Sequence, residues 1–191
     1  LSPLHYSAGS LSDGNLRFSA LTANSQMRLG TQAISSGKFY WEVTWGTISF
    51  GQAVGIVKSS IASFVNGDYP GQYVDGYQYD RNGKKYNNAD GGVAYGDAYV
   101  TGDVIGVALD MDNGSTTFYR NGVSQGVAYN SLSGEFVPAF AAYGSGNDFT
   151  VNFGQQPFKY TPPTGFNTLS TDNLPEPAIL KPSDHFDAVA Y

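Results

Sequence analysis

The chain predicts an all-β protein, a two-sheet antiparallel β-sandwich. Three observations predict it. About a dozen short segments alternate apolar and polar residues or run apolar, each closed by a Gly, Asn, Asp or Pro turn signal. The composition is aromatic and turn-rich, with 24 Gly, 14 Tyr and 12 Phe in 191 residues, which suits pleated, half-buried strands. No segment carries a helical repeat of ordinary length, and Ser59 to Val65 has room for one turn. Short strands with frequent turns assemble as sandwiches.

The elements follow in order. Residues 1–14 are polar and rich in Gly and Ser, a lead-in to the domain. Leu16 to Leu21 and Gln26 to Leu29 are two short apolar patterns. Lys38 to Trp45 alternates strictly: Phe39, Trp41, Val43 and Trp45 share one face, and Tyr40, Glu42 and Thr44 the other. That is a half-buried strand. Gln52 to Lys58 is another, with Val54 and Ile56 together. From 59 to 101 Asp, Asn, Gly and Tyr crowd, predicting loops with short strands around Tyr77-Gln78-Tyr79 and Lys85-Tyr86.

The pattern sharpens at Asp103. Val104 to Met111 is a strand with Ile105, Val107, Leu109 and Met111 inward, and its near-continuous apolar run predicts cover on both faces. Asn113-Gly114 signals a type I′ hairpin turn into Thr116–Arg120, and Asn121-Gly122 turns the chain again. Phe136–Tyr143 and Phe149–Phe153 are expected to form a further pair across Gly144–Asn147. Trp41, Trp45, Phe118, Phe140, Phe149 and Phe153 are the expected core between the sheets.

After Phe158 the texture changes. Pro157, Pro162, Pro163, Pro175, Pro177 and Pro182 follow closely, and proline cannot donate to a sheet ladder. The reading is therefore a lead-in, 1–14; a sandwich, 15–158; and a Pro-rich extended linker or strap, 159–191, outside the core. Phe186–Tyr191 reads as the first strand of a further domain.

Composition narrows the function. A net charge of −6 argues against a nucleic-acid partner, which requires clustered Lys and Arg. No run approaches a membrane span, so no membrane insertion is expected. Without cysteine there is no disulfide and no thiolate metal site. The two histidines, His5 and His185, lie outside the expected core, which leaves no base for a nucleophilic triad and no zinc ligand set. No catalytic, cofactor or metal residue is assigned. Asp110-Met111-Asp112-Asn113-Gly114 lacks the calcium-loop spacing and reads as a turn with Asp caps.

Three blocks carry a resemblance: Gly37–Val43; Gly102–Asp110 running on to Phe118–Gly122; and Val137-Pro138-Ala139 followed by Val151–Phe158. In this order they resemble the SPRY domain over roughly residues 15–158. The resemblance implies a bent sandwich of the concanavalin A-like, jelly-roll kind that binds partners and does not catalyse. Eukaryotic members bind short peptides through their loops; none of their contact residues is carried over here. The Gly-, Asn- and Tyr-rich style, with the linker Asn173–Pro177 and Lys181–Phe186, is also similar to SPRY-like domains of bacteriophage and environmental viral structural proteins.

The expected function is thus a non-catalytic binding or structural module of a virus particle, placed in capsid decoration, tail or fibre. Its location would be the virion, or extracellular. Its partners would be other virion proteins or a host-surface protein or glycan, with a trimer as one expected symmetry. A lectin-like domain is the alternative, and a polysaccharide-acting enzyme built on Glu42 the second alternative. The candidate partner-binding loop comprises Tyr73, Asp75, Tyr77, Tyr79, Asp80, Asn82, Tyr86 and Asn88. Tyrosine offers an apolar face and a hydroxyl, and the Asp and Asn side chains add hydrogen bonds.

Overall fold

The computed structural model describes residues 1–4, 8–48, 50–61, 64–89, 91–170 and 173. Both histidines, Glu176 and the expected strand at 186–191 lie outside them. Among the described residues the strands are β1 Gly9–Ser12, β2 Arg17–Ala20, β3 Ser25–Leu29, β4 Lys38–Trp45, β5 Phe50–Lys58, β6 Gly76–Asp80 and β7 Lys84–Asn87. They continue as β8 Val93–Ala94, β9 Val104–Asp110, β10 Ser115–Arg120, β11 Val123–Tyr129, β12 Phe136–Tyr143, β13 Asp148–Asn152 and β14 Asn167–Thr168. One turn of 3₁₀ helix spans Pro70–Gln72.

The strands form two sheets. The larger runs β1-β2-β13-β4-β9-β10-β11, with β14 added beside β4; the smaller runs β3-β12-β5-β6-β7-β8. All pairings are antiparallel except β14 with β4. The predicted two-sheet antiparallel sandwich is the observed fold.

The core lies between the sheets, where period two sends one side of each strand. Phe39, Trp41, Val43 and Trp45 of β4 meet Ile105, Val107 and Leu109 of β9 and Phe118 of β10. Val54 and Ile56 of β5 and Phe136 and Phe140 of β12 face them from the smaller sheet. Phe149 is the hinge of this packing, its ring 5.4 Å from Phe140, 5.3 Å from Trp45 and 5.5 Å from Phe18. All the expected core aromatics are buried except Phe153, which is half-buried against the cluster.

Four expectations need correction. β12 and β13 do not pair with each other: β12 joins β3 and β5, and β13 joins β2 and β4. The Gly144–Asn147 connection crosses between sheets because Phe140 and Phe149 must both point inward from opposite sides. The Asn113-Gly114 turn is not type I′, since Gly114 alone takes positive φ (62°) and Asp110 pairs with Ser115 across four residues. Asn113 instead donates its backbone N–H to Asp110 Oδ1 at 3.0 Å. The two-residue turn with both φ positive is Asn121-Gly122, at 50° and 80°, closed by the Arg120–Val123 pair.

The remaining two concern the ends of the sandwich. The lead-in contains β1, and Leu1 packs into the core. The packed unit also runs past residue 158. Phe158 sets its ring edge-on to Tyr40 at 5.0 Å, β14 lies parallel to β4, and Leu169 is buried in the core. Leu1 and Leu169 line one small hollow with Leu16, Gly30, Thr31 and Phe153. Prolines rule out ladder donors at their own positions, not burial of the residues between them.

The same segment covers the outer face of β4. Glu42 is 3% exposed and accepts the backbone N–H of Lys159 at 2.8 Å and of Tyr160 at 2.9 Å. The Tyr40 hydroxyl donates to Glu42 Oε1 at 3.2 Å. Burial, then the Glu42 charge and this hydrogen bond, push the Tyr40 hydroxyl far above the usual tyrosine range.

Candidate binding cleft

The outer face of the smaller sheet is divided in two. Where Tyr77 and Tyr79 of β6 point into the core, Gln78 and Asp80 point out; where Val54 and Ile56 of β5 point in, Ala53 and Val57 point out. At one end the outward side chains are apolar. Met27, Leu29, Val57, Val137 and Ala139 form a second cluster, packed with Phe64. At the other end they are small or polar, and a cleft of about 360 Å³ remains. Ser25, Gly51 and Ala53 give it room, Gln78 and Asp80 lie along β6, and Tyr69, Tyr86 and Tyr143 stand around it.

The wall at Tyr69 is tied down. Gly67 donates its N–H to the Ser25 carbonyl at 2.7 Å, and the Ser25 hydroxyl donates to the Asp68 carbonyl at 2.9 Å. Asp68 accepts the Val65 N–H at 2.7 Å, the Tyr73 hydroxyl at 2.7 Å and the Gln72 amide at 2.8 Å. Burial alone would raise the Asp68 pKa, but these hydrogen bonds outweigh it and hold the carboxyl below its usual range. Gly71 donates to Gln78 Oε1 at 2.9 Å, and a Cβ on Gly71 would come within 2.6 Å of Tyr86 Cβ. Glycine there lets the Tyr86 wall stand against the 3₁₀ turn.

Asp80 is differently placed. It is buried, it lines the cleft, and Asn82 donates its backbone N–H to Oδ1 at 2.9 Å. Burial raises its pKa by more than the hydrogen bonds from Asn82 and the charges of Arg81 and Lys84 lower it. Asp68, Asp103 and Asp110, by contrast, are all held low by their partners.

The structure distributes the eight predicted residues over both sides of the sheet and its end. Asp80 and Tyr86 line the cleft. Tyr79 faces the core, its ring 5.4 Å from Phe118 and its hydroxyl donating to the Asp97 carbonyl. Tyr77 is half-buried on the same side, 4.9 Å from Tyr129. Neither presents a loop surface. Tyr73 spends its hydroxyl on Asp68, and Asp75 pairs with Lys58 at 2.8 Å. Asn82 and Asn88 are exposed at turns flanking β7, Asn88 with φ 55°.

Sequence reading missed Ser25, Gly51, Tyr69 and Tyr143 as neighbours of Asp80. Tyr69 belonged to the aromatic stretch already singled out. The other three come from β3, β5 and β12, and their convergence depends on strand order. The signal that was legible is the alternation in Gly76-Tyr77-Gln78-Tyr79-Asp80, which puts both tyrosines on one face and Gln78 with Asp80 on the other.

Glu42, the residue on which an enzyme reading was built, has its carboxylate engaged by Tyr40, Lys159 and Tyr160. Asp110 accepts hydrogen bonds from Asn113 and pairs with Lys38 at 2.9 Å. Among the described residues no three of His, Cys, Asp and Glu come together as a metal site.

Comparison with known proteins bears on this arrangement. The family model described as SPRY domain matches residues 38–156. A Drosophila melanogaster protein, the Ran-binding proteins 9/10 homolog, is 34% identical over 85 residues, which is 44% of this chain and 9% of that protein. The dual specificity protein kinase splA of Dictyostelium discoideum is 31% identical over 160 residues, 80% of this chain and 6% of the kinase. The chain therefore spans a small part of the length of these relatives. The crystal structure of the SPRY domain of human HERC1 has a TM-score of 0.66 at 19% identity, over 78% of this chain and 95% of that one, a likeness of fold.

Proposed function

The chain belongs to the SPRY family, and from that premise we propose that it is a non-catalytic protein-interaction module whose cleft on the smaller sheet receives a segment of the partner. The observation that carries this is the cleft itself. Small residues open it, three tyrosines surround it, and a buried carboxylate lines it. Tyrosine faces with a few fixed polar groups are what a protein partner uses. Nothing in this reading asks the domain to make or break a bond, and the kinase named among the relatives shares only 6% of its length with this chain.

The test is a peptide-display selection on the full chain, followed by measurement of the selected binders on two variants. Ala53→Leu fills the floor of the cleft, and Tyr143→Ala removes a wall residue that is 37% exposed, each variant being checked for folding by its melting temperature. Loss of affinity on the order of tenfold or more in both is expected. Binders indifferent to both variants would place docking elsewhere on the domain.

The narrower reading, attachment within a virus particle or to a host-surface glycan, draws its support from the sequence style and the Pro-rich segment. The relatives described above are cellular proteins and add nothing to it. Mass spectrometry of purified particles and a glycan array on the isolated domain test its two halves.

A further inference from the structure

Resting on the cleft as the docking site, we infer that it selects a basic side chain, arginine or lysine, of the partner segment. The argument begins with Asp80. A buried carboxylate is stable when a cation or several donors compensate it. Asp68 shows how this chain does so, with three donors on one carboxylate. Asp110 has Lys38 and Asn113, Asp103 has Arg120 and Asn121, and Asp148 has Arg17. Among the described residues Asp80 receives hydrogen bonds from Asn82 alone, with the charges of Arg81 and Lys84 nearby but burial outweighing them, and it is the carboxylate that lines the cleft.

The surroundings favour a cation over other donors. Tyr69, Tyr86 and Tyr143 border the same space, and the faces of aromatic rings attract a guanidinium or ammonium group. Lys85 already illustrates the chemistry within the chain, its Nζ lying 5.2 Å from the centre of the Tyr129 ring and 5.7 Å from that of Tyr95. The whole chain carries −6, so the field favours a positive partner. Arg81 and Lys84 oppose it locally; Lys84 is exposed, where solvent screens its charge. The volume of about 360 Å³ admits a long basic side chain together with the backbone that bears it.

The experiment titrates two blocked pentapeptides, Gly-Gly-Arg-Gly-Gly and the same peptide with citrulline for arginine, into the isotope-labelled full chain. NMR shifts of the Gly51, Ala53 and Asp80 amides are followed. Citrulline keeps the shape and the hydrogen-bonding edge of arginine and removes the charge. The arginine peptide is expected to move these signals and to bind roughly tenfold more tightly than the citrulline peptide. Asp80→Asn, which keeps an acceptor for the Asn82 N–H, is expected to bring the two peptides to within about twofold of each other.

Equal affinities for the two peptides on the unmodified chain would overturn the inference, as would an arginine preference that survives Asp80→Asn. If display-selected binders lack basic residues but still lose affinity in Ala53→Leu, the charge inference falls and the cleft stands as the docking site. If neither pentapeptide shifts the cleft signals and Ala53→Leu leaves the selected binders unaffected, both fall together.

Discussion

Glu42 holds Tyr160 by its backbone: the carboxylate on the outer face of β4 takes the N–H of a residue 118 positions later at 2.9 Å. It takes the Lys159 N–H as well, at 2.8 Å. Glu42→Gln keeps the size but turns one acceptor into a donor, leaving a part-buried N–H without its partner. Such a loss costs about 1–3 kcal/mol. Urea unfolding should show that loss, and hydrogen exchange should show the Lys159 and Tyr160 amides exchanging faster while the β9 amides keep their protection.

Gly122 stands against the other side of the same segment. Its φ is 80°, and a Cβ there would lie 2.6 Å from Tyr160 Cδ1. Gly122→Ala therefore strains the turn and pushes Tyr160 at once, and a cost of about 1–3 kcal/mol is expected. In the Tyr160→Ala background the ring contacts at 2.6 and 3.0 Å disappear and only the Cβ contact at 3.2 Å remains. The double-mutant cycle should then show coupling of about 0.5 kcal/mol or more, and strict additivity would mean that Tyr160 moves aside at no cost.

Trp41 is wholly buried between the sheets. Truncation to Ala leaves a cavity that flanking β-strands cannot close, at a cost of about 3–5 kcal/mol. An unchanged melting temperature in Trp41→Ala would contradict the inward placement of this face of β4.

Acid stability should have two phases. Asp80 has a folded pKa above its unfolded value of about 3.9, so its ionised form opposes folding at neutral pH. That penalty fades as pH falls through the raised folded pKa toward the unfolded one. Burial would also raise Asp103 and Asp110, but hydrogen bonds from Asn121, from Asn113 and from their basic partners hold both below the usual range. Their contribution is complete above about pH 3.9 and is lost as pH falls through the depressed values. Stability should rise slightly on mild acidification and then drop. Asp80→Asn should raise the melting temperature at pH 7 and remove the rise while sparing the drop; Asp103→Asn should do the reverse on the acid limb.

Some of this was readable from the residues. The face Phe39, Trp41, Val43 and Trp45 is legible because period two fixes which side chains share a side, whatever the neighbouring strands are. Asn121-Gly122 is legible because both residues tolerate positive φ where a two-residue hairpin turn demands it. Which strand lies beside which is another matter. β12 and β13 are consecutive and both apolar, and adjacency in sequence does not reveal that they belong to opposite sheets. The cleft depends on that order, since Ser25, Gly51 and Tyr143 are brought to Asp80 by the sequence of strands β3-β12-β5-β6. The docking of 158–169 was hidden for a different reason. Prolines advertise the absence of donors, while the attachment here uses the two N–H groups that lie between Pro157 and Pro162.

The hollow shared by Leu1 and Leu169 bears on how such a unit can be carried. Two points of a chain that lie this close together can be anchored in one surface loop of a larger protein without prising that loop apart. Fusion between two helices of an unrelated host should leave both folds intact, whereas a fusion that severs the unit after residue 158 would strip β14 from β4, uncover Tyr40 and Glu42, and leave an adhesive scar on the host.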